Sequence, residues 1–242
     1  MSKNLKLSVE LKCGNQVELN STVNPSVRLK RNRGKGFTLA EILITLTVIG
    51  VVAALTIPTL LQNTNQAELK AAWKKTYGDI SQATLSIMND NGGTVAYAFS
   101  DHNSFKNKYL EKLSYIKTCY DDTRGNCFAG GTDSIHFLNG SVYPDSWMNS
   151  TPSAILSNGT SINFYFASSD CTSTWHGIQN CGAINVDVNG LKKPNTVGKD
   201  IFALHVRKDG IVPFGSLDDV FTPLGCSTSY EGWGCSADYL YQ

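Results

Sequence analysis

Six of the seven cysteines fall into three close pairs along the chain. The pairs are Cys119 and Cys127, Cys171 and Cys181, and Cys226 and Cys235. Cysteines at such spacing form disulfides in an oxidising compartment, or bind zinc together with histidines. Six cysteines allow many connectivities, of which three local bridges are the simplest. Zinc is disfavoured because no Cys-x-x-Cys knuckle occurs and only His176 lies between the members of a pair.

Oxygen ligands for a hard cation cluster in one short stretch of the sequence. Asp187, Asn189 and Asp200 would supply side-chain oxygens, and backbone carbonyls would complete the about six to eight ligands of Ca²⁺. The spacing is not that of an EF-hand. The same stretch carries three lysines whose positive charges would repel a bound cation: Lys192, Lys193 and Lys199. The alternative is a hairpin turn at Asn189-Gly190 followed by a loop that Pro194 fixes. We expect no cofactor, and a calcium ion held by this stretch is the alternative to the bare turn.

Catalytic motifs are absent from the sequence, and we expect no enzymatic activity. It contains no Gly-x-Ser-x-Gly elbow, His-Glu-x-x-His, Walker loop or Gly-x-Gly-x-x-Gly. The four histidines are scattered, and His205 is predicted to be a structural residue within a strand. Asp121-Asp122 and Asp218-Asp219 are predicted to be solvated loop acids. A carboxylate pair for glycoside hydrolysis keeps a membrane-anchored extracytoplasmic hydrolase open as an alternative of another class.

Charge is distributed unevenly along the chain of 242 residues, although the formal net charge is only +1. Residues 1–36 are strongly basic, and the remaining residues are net acidic. A basic segment before a hydrophobic run is typical of a targeting signal on an exported protein. The acidic balance of residues 37–242 makes nucleic acid an unexpected partner.

A membrane-spanning helix is predicted over residues 37–61. A helix needs about 20 apolar residues to cross the bilayer, and Glu41 is the only charged residue in this run. Five basic residues lie just before it: Arg28, Lys30, Arg31, Arg33 and Lys35. By the positive-inside rule they keep the N-terminus in the cytoplasm and send the rest of the chain across. Two residues are unusual in such a span, because Glu41 is costly in lipid and Pro58 favours a kink.

Residues 35–41, Lys-Gly-Phe-Thr-Leu-Ala-Glu, resemble the processing site of type IV pilins and type II secretion pseudopilins. The resemblance implies that a prepilin peptidase cuts between Gly36 and Phe37 and that Phe37 is then N-methylated. Glu41 matches the family's glutamate at the fifth mature position, and Pro58 matches its helix-weakening proline. The new α-amino group of Phe37 would pair with Glu41 of a neighbouring subunit in a filament. Residues 1–36 would be the removed leader. A leader of 36 residues is long for the family. Either the leader is extended, or the start codon is assigned too far upstream.

The exported part is predicted to be α+β, with the membrane helix continuing through residues 62–91 into a head of residues 92–242. Apolar residues at helical spacing, Leu69, Trp73, Ile80 and Ile87, form one face, with Tyr77 and Thr84 beside it. A separate helix after a break at Pro58 is the alternative. In the head we expect a short helix near residues 104–113, followed by strands without intervening helices, hence an antiparallel sheet. The strands are predicted near residues 134–138, 154–157, 160–167, 183–188, 200–207 and 211–214. The pilin resemblance implies the same architecture, a long helix packed on a sheet.

The function that these observations imply is a structural one, that of a pseudopilin or minor pilin. Its expected partners are prepilin peptidase, an inner-membrane assembly platform, and copies of itself and other pilin-like subunits. It would first be a single-pass protein of the inner membrane and then part of a periplasmic or cell-surface filament. Within the family, the alternative is a major or competence-type pilin that contacts DNA or surfaces. Some major pseudopilins bind calcium in a loop of the C-terminal region. The resemblance implies that the loop containing Asp187 could bind calcium in the same way.

Overall fold

The computed structural model describes residues 36–120, 126–130, 134–144, 151–216, 219–221 and 224–241. The helices are α1 (Leu39–Asp90), α2 (His102–Leu110) and α3 (Cys235–Tyr241). The strands are β1 (Tyr115–Cys119), β2 (Ser153–Leu156), β3 (Ser161–Phe166), β4 (Ser173–Trp175), β5 (Ile178–Asn180), β6 (Gly182–Asp187), β7 (Ile201–Arg207) and β8 (Gly210–Pro213). The contacts divide the chain into two units at Val51. The N-terminal part of α1 and the part from Val52 onward are therefore described separately.

Helix α1 is continuous over 52 residues, with Pro58 inside it. The predicted continuation past the apolar run is confirmed, and the alternative of a break at Pro58 is wrong. The helix ends where the sequence predicts, because Gly92 and Gly93 both adopt positive φ. The amide of Gly93 donates to the carbonyl of Met88, which satisfies a carbonyl of the last turn.

The predicted apolar face of α1 is the face that packs in the unit from Val52 onward. Trp73, Ile80 and Ile87 are buried, and Thr84 is buried beside them. The ring of Trp73 stacks on Phe202 of β7 at a centroid distance of 4.7 Å. Its indole nitrogen donates to the backbone carbonyl of Ser236 at 2.9 Å. This one side chain therefore joins α1, the sheet and α3.

The sheet has six strands in the order β1-β2-β3-β6-β7-β8, and all its pairings are antiparallel. The hairpin of β2 and β3 turns at Asn158-Gly159, as the sequence predicts. β6, β7 and β8 also lie where they are predicted. The α+β architecture with an antiparallel sheet is confirmed.

The two central strands β6 and β7 are buried on both faces. On one face, Phe202, Leu204 and Val206 join the core that contains the buried face of α1. On the other, Ile201 and Ala203 join a second core rich in aromatic rings. The alternation that usually marks a sheet with one wet face is therefore lost in these strands.

One predicted strand does not form, and several short elements of the structure are not predicted from the sequence. Residues 134–138 form no strand, because His136 makes only isolated bridges to Val142 and Thr196. Several short elements are not predicted from the sequence: β1, the separate hairpin of β4 and β5, and α3. Each has at most seven residues, too few for a periodic pattern to be recognised.

Candidate functional site

The predicted processing segment, residues 35–41, contains the start of α1. The side chain of Phe37 is 83% exposed, and α1 begins two residues later. The amide and the hydroxyl of Thr38 donate to Glu41 Oε2 at 2.8 and 3.0 Å, while the amide of Glu41 donates to Thr38 Oγ1 at 3.2 Å. These reciprocal bonds form a capping box. The box was not predicted from the sequence, although its Thr-x-x-Glu pattern is visible in residues 38–41.

The capping box changes the environment of the Glu41 carboxylate. Residues 37–61 contain no basic side chain that could pair with this acid. In the structure the carboxylate already accepts two hydrogen bonds from Thr38. A neighbouring amine would therefore add charge compensation to a carboxylate that Thr38 already orients.

The first part of α1 has the character of a membrane span. Among the described residues, Leu39–Pro58 is the one stretch of helix long and apolar enough to cross a membrane, with a mean hydropathy of 2.3. Its large apolar side chains are exposed, for example Leu39 at 81% and Leu55 at 72%. So much exposed apolar surface is unstable in water, and it needs lipid or another apolar helix as its environment.

Three disulfides cross-link the head, and they join the pairs predicted from the sequence. They are Cys119–Cys127, Cys171–Cys181 and Cys226–Cys235. The first starts from the edge strand β1, the second closes the loop that contains β4 and β5, and the third ties the C-terminal loop to α3. Each closes a short loop and so reduces the entropy of the unfolded chain.

Peptide mapping tests this connectivity. We expect non-reducing digestion of the exported protein to release the three local pairs and no free thiol among the six cysteines. Reduction is expected to destabilise the head by about 2–4 kcal/mol for each bridge lost. Recovery of cross-pairs, or of bound zinc with free thiols, would contradict the assignment.

The predicted oxygen ligands come together at the junction of β6 and β7. Asp187 ends β6 and Asp200 directly precedes β7, and the two carboxyl groups lie close enough for Asp200 to raise the pKa of Asp187. Asn189 lies in the turn between them, and its Nδ2 donates to Asp200 Oδ2 at 3.1 Å. Asp200 also accepts the amides of Asn195 and Thr196 at 2.9 and 2.6 Å. The structure therefore gathers all three predicted residues into one cluster.

Three oxygen atoms of this cluster are buried without a hydrogen-bond partner in the described part of the chain. They are Asp187 Oδ2, Asn189 Oδ1 and Asn195 Oδ1. Buried acceptors are normally satisfied by a donor, by an ordered water molecule or by a cation. Asn195 was missed from the sequence. Its positive φ of 50° and its place after Pro194 set it in the loop, and neither is visible in residue spacing.

The pKa values of the two carboxyl groups, Asp187 and Asp200, are both raised. Burial, followed by repulsion from Asp200, raises the pKa of Asp187 to about 9. Burial also raises the pKa of Asp200, against the lowering effect of the hydrogen bonds from the loop. Without a cation, two buried carboxylates close together are unfavourable, and a proton on Asp187 relieves their repulsion. The opposing lysines of the loop are exposed: Lys192, Lys193 and Lys199. They therefore do not enter the cluster, whose carboxylate and amide oxygens are ligand types that Ca²⁺ takes.

Asp219 is not the solvated loop acid that the sequence predicted. Its side chain is fully buried and lies 3.0 Å from Nε2 of His205, which is also fully buried. Asp219 further accepts the amides of Gly215 and Phe221, both at 3.0 Å, so it fastens the loop after β8 to β7. Phe214 stacks on the imidazole at 4.1 Å. His205 Nδ1 has no hydrogen-bond partner among the described residues, so no nucleophile is paired with it there. The histidine lies within strand β7, as predicted.

The other predicted acids, Asp121, Asp122 and Asp218, lie outside the described residues. The basic residues before Gly36 lie outside them as well.

Comparison with known proteins gives one match. A family model described as the prokaryotic N-terminal methylation motif matches residues 31–57. The matched range contains Gly36, Phe37 and Glu41, and it stops one residue before Pro58. No curated protein and no solved structure matches the chain.

Proposed function

We propose that this chain, which carries the signature of type IV pilins and pseudopilins in residues 31–57, is a structural subunit of a type IV or type II secretion-like filament. The match to the methylation motif carries the proposal. Prepilin peptidase removes residues 1–36, Phe37 is methylated, and the chain polymerises through α1. The subunit is a pseudopilin or minor pilin with no enzymatic activity of its own.

The head is suited to a mechanical role in the filament and to the recognition of other molecules. It contains a sheet whose two central strands are buried on both faces, and three disulfides cross-link it, which suits a rigid body displayed outside the cytoplasm. Before assembly, the chain crosses the inner membrane once, with its N-terminus in the cytoplasm and its head exported. The inner-membrane assembly platform then moves subunits from the membrane into the filament.

We also assign a calcium ion to the cluster of Asp187, Asn189, Asn195 and Asp200. The support for it is the three buried oxygens without a partner and the raised pKa of both carboxyl groups. The ion would hold the loop between β6 and β7 in place. Its role is structural, like that of the disulfides.

Substitution of Gly36 tests the processing step. We expect Gly36→Ile to block cleavage, because the peptidase site resembles one with a small residue before the cut. The variant should accumulate in the membrane as a precursor that keeps residues 1–36, as measured by mass spectrometry. Gly36→Ala is the matched control and is expected to be processed. A Cβ at Gly36 meets no atom within 4 Å, so neither substitution disturbs the described fold. Normal processing of Gly36→Ile would contradict the assigned site.

A further inference from the structure

A groove of about 530 Å³ opens beside α1, within the unit from Val52 onward. Its walls come from α1, from the loop between β6 and β7, and from the C-terminal region around α3. Leu69, Leu138 and Tyr239 give it apolar surface that packs against the main core. The groove is therefore a cleft that can bury an apolar side chain from outside.

Two lysines line this groove, Lys70 from α1 and Lys199 from the loop. Lys70 Nζ lies 4.0 Å from the centre of the Tyr239 ring. In the part of the chain that the structure describes, neither lysine forms an ion pair, and no acidic side chain lines the groove. The nearby acid Asp238 accepts the amide of Cys226 at 2.6 Å. The groove is therefore cationic.

Tyr97 is an exposed aromatic residue in the loop between α1 and α2. Its side chain is 75% exposed, and its φ of 63° lies in the left-handed region, which is strained for a bulky residue. Its amide donates to the carbonyl of Ser169 at 2.6 Å, which fixes this loop against the segment that follows β3. An aromatic ring on a fixed backbone loses little entropy on binding, and such rings are common anchors of protein interfaces.

Two exposed acids lie near Tyr97. Asp101 caps the start of α2 four residues later, and Asp170 follows the residue that accepts the Tyr97 amide. Hydrogen bonds from backbone amides lower the pKa of both carboxyl groups, so both are charged at neutral pH. Neither forms an ion pair among the described residues, and Lys208 is the exposed cation without one nearby. The surface around Tyr97 is therefore net acidic.

The groove and Tyr97 lie at opposite ends of β7. Lys199 comes just before this strand, whereas Val95, close to Tyr97, donates its amide to the carbonyl of Lys208, which follows the strand. Seven residues of strand separate the two places by about 20 Å. Along α1, the distance from Lys70 to the end of the helix is about 30 Å. The Tyr97 ring therefore cannot reach the groove of its own chain.

We propose that Tyr97 of one copy of this chain inserts into the groove of a second copy. The apolar floor of the groove takes the ring, while Lys70 and Lys199 face Asp101 and Asp170 around it. A contact between two different surfaces of identical subunits repeats into an open helical filament unless its rotation closes a ring. This inference rests on the proposed function, because it requires copies of the chain to meet in a filament. It uses only surfaces of the unit from Val52 onward.

Photo-cross-linking in filaments of the full chain tests the contact. One copy carries p-benzoylphenylalanine in place of Tyr97 together with a tag, and a second copy carries a different tag. We expect irradiation to give a covalent dimer that contains both tags, with the probe attached to a peptide that contains Lys70, Lys199 or Tyr239. The matched control places the same probe at Tyr115, which is 49% exposed on the edge strand β1. It should not label these peptides.

Substitutions of Tyr97 test the contribution of the ring. Tyr97→Gly removes the ring and suits the positive φ, so the fold is retained. Its incorporation into filaments should fall by about thirtyfold, as expected for the loss of an aromatic anchor. Tyr97→Phe keeps the ring and is the matched control, which should be incorporated like wild type.

Charge reversal tests the pairing around the ring. Lys70→Glu with Lys199→Glu in the second copy should lower the yield of the cross-link by about tenfold, because like charges then face each other. Asp170→Lys in the copy that carries the probe should restore at least about half of the yield, because opposite charges face each other again. A yield that neither change affects would contradict the charge pairing.

The outcomes separate this contact from the proposed function. Filaments that contain the wild-type chain but give no dimer through the groove peptides would overturn the contact and leave the proposed function standing. A probe that labels its own chain or another protein would overturn the contact as well, as would normal incorporation of Tyr97→Gly. A wild-type chain that never enters sheared filaments would contradict the proposed function and this contact together.

Discussion

Glu41→Ala is expected to abolish entry into filaments while membrane insertion persists. In the inserted monomer, Glu41 lies near the cytoplasmic end of the span, where water is accessible and its cost is moderate. In a filament core, water is excluded, and the methylated α-amine of Phe37 in a neighbouring subunit would compensate the carboxylate. Removing the acid leaves that amine buried and unpaired, which costs about 3–5 kcal/mol. Incorporation should therefore fall by at least about a hundredfold.

The capping box supplies the controls that separate charge pairing from helix capping. Glu41→Gln keeps an oxygen that can accept from Thr38 but removes the charge, so it should fail like Glu41→Ala. Thr38→Ala removes the cap and keeps the acid, at a cost of about 1 kcal/mol to the helix start, so it should still assemble. The measurement is the fraction of each variant in sheared filaments and in membranes, with and without co-expressed wild type. Wild-type incorporation of Glu41→Ala would show that the acid is only a tolerated interfacial residue.

Calcium is expected to reverse the pH dependence of stability that Asp187 imposes on the head. The pKa of Asp187 is raised from its ordinary value near 4 to about 9 in the folded chain. Between these values the folded chain keeps a proton that the unfolded chain has released. Stability without calcium therefore falls as pH rises from about 4 to about 9. Calcium displaces the proton, so its binding strengthens with pH and offsets the loss.

Asp187→Asn should have opposite effects in the two conditions. Without calcium at neutral pH, the variant folds without taking up a proton, so it should unfold at a higher temperature than wild type and show a flatter pH profile. With calcium, wild type should gain about 2.7 kcal/mol at one hundred times Kd, and the variant should gain little. For a chain of this size that gain is a rise of about 5–10 °C in Tm.

Thermal unfolding of the detergent-solubilised chain, with calcium or with a chelator, measures both effects. Asp79→Asn, which removes an exposed carboxyl group of α1, is the matched control and should behave like wild type. A wild-type Tm that calcium does not change at pH 8 would contradict the metal site. The raised pKa of Asp187 would then have to be explained by burial alone.

The features that the sequence predicts correctly are those that local patterns determine. Helix α1 follows from an apolar run and from the spacing of residues such as Trp73 and Ile80. The hairpin of β2 and β3 follows from its Asn-Gly turn, and the disulfides follow from close pairs of cysteines. Such patterns need no knowledge of distant contacts.

The features that sequence analysis missed depend on contacts between distant residues. Asp219 is buried because His205, 14 positions away, supplies its partner. Asn195 belongs to the oxygen cluster because the loop folds back over Asp200. Strand β1 exists because it pairs with β2, across residues that carry little strand pattern. In each case the tertiary partner decides the outcome, and the local sequence is compatible with a loop.

The central claim is that the chain is processed between Gly36 and Phe37 and then assembles through the exposed helix. Mass spectrometry of the N-terminal peptide from sheared filaments tests it most directly. The account predicts a peptide that begins at Phe37 and carries one methyl group on its α-amine. A peptide that begins upstream of Phe37, or an unmethylated N-terminus elsewhere in the chain, would contradict it.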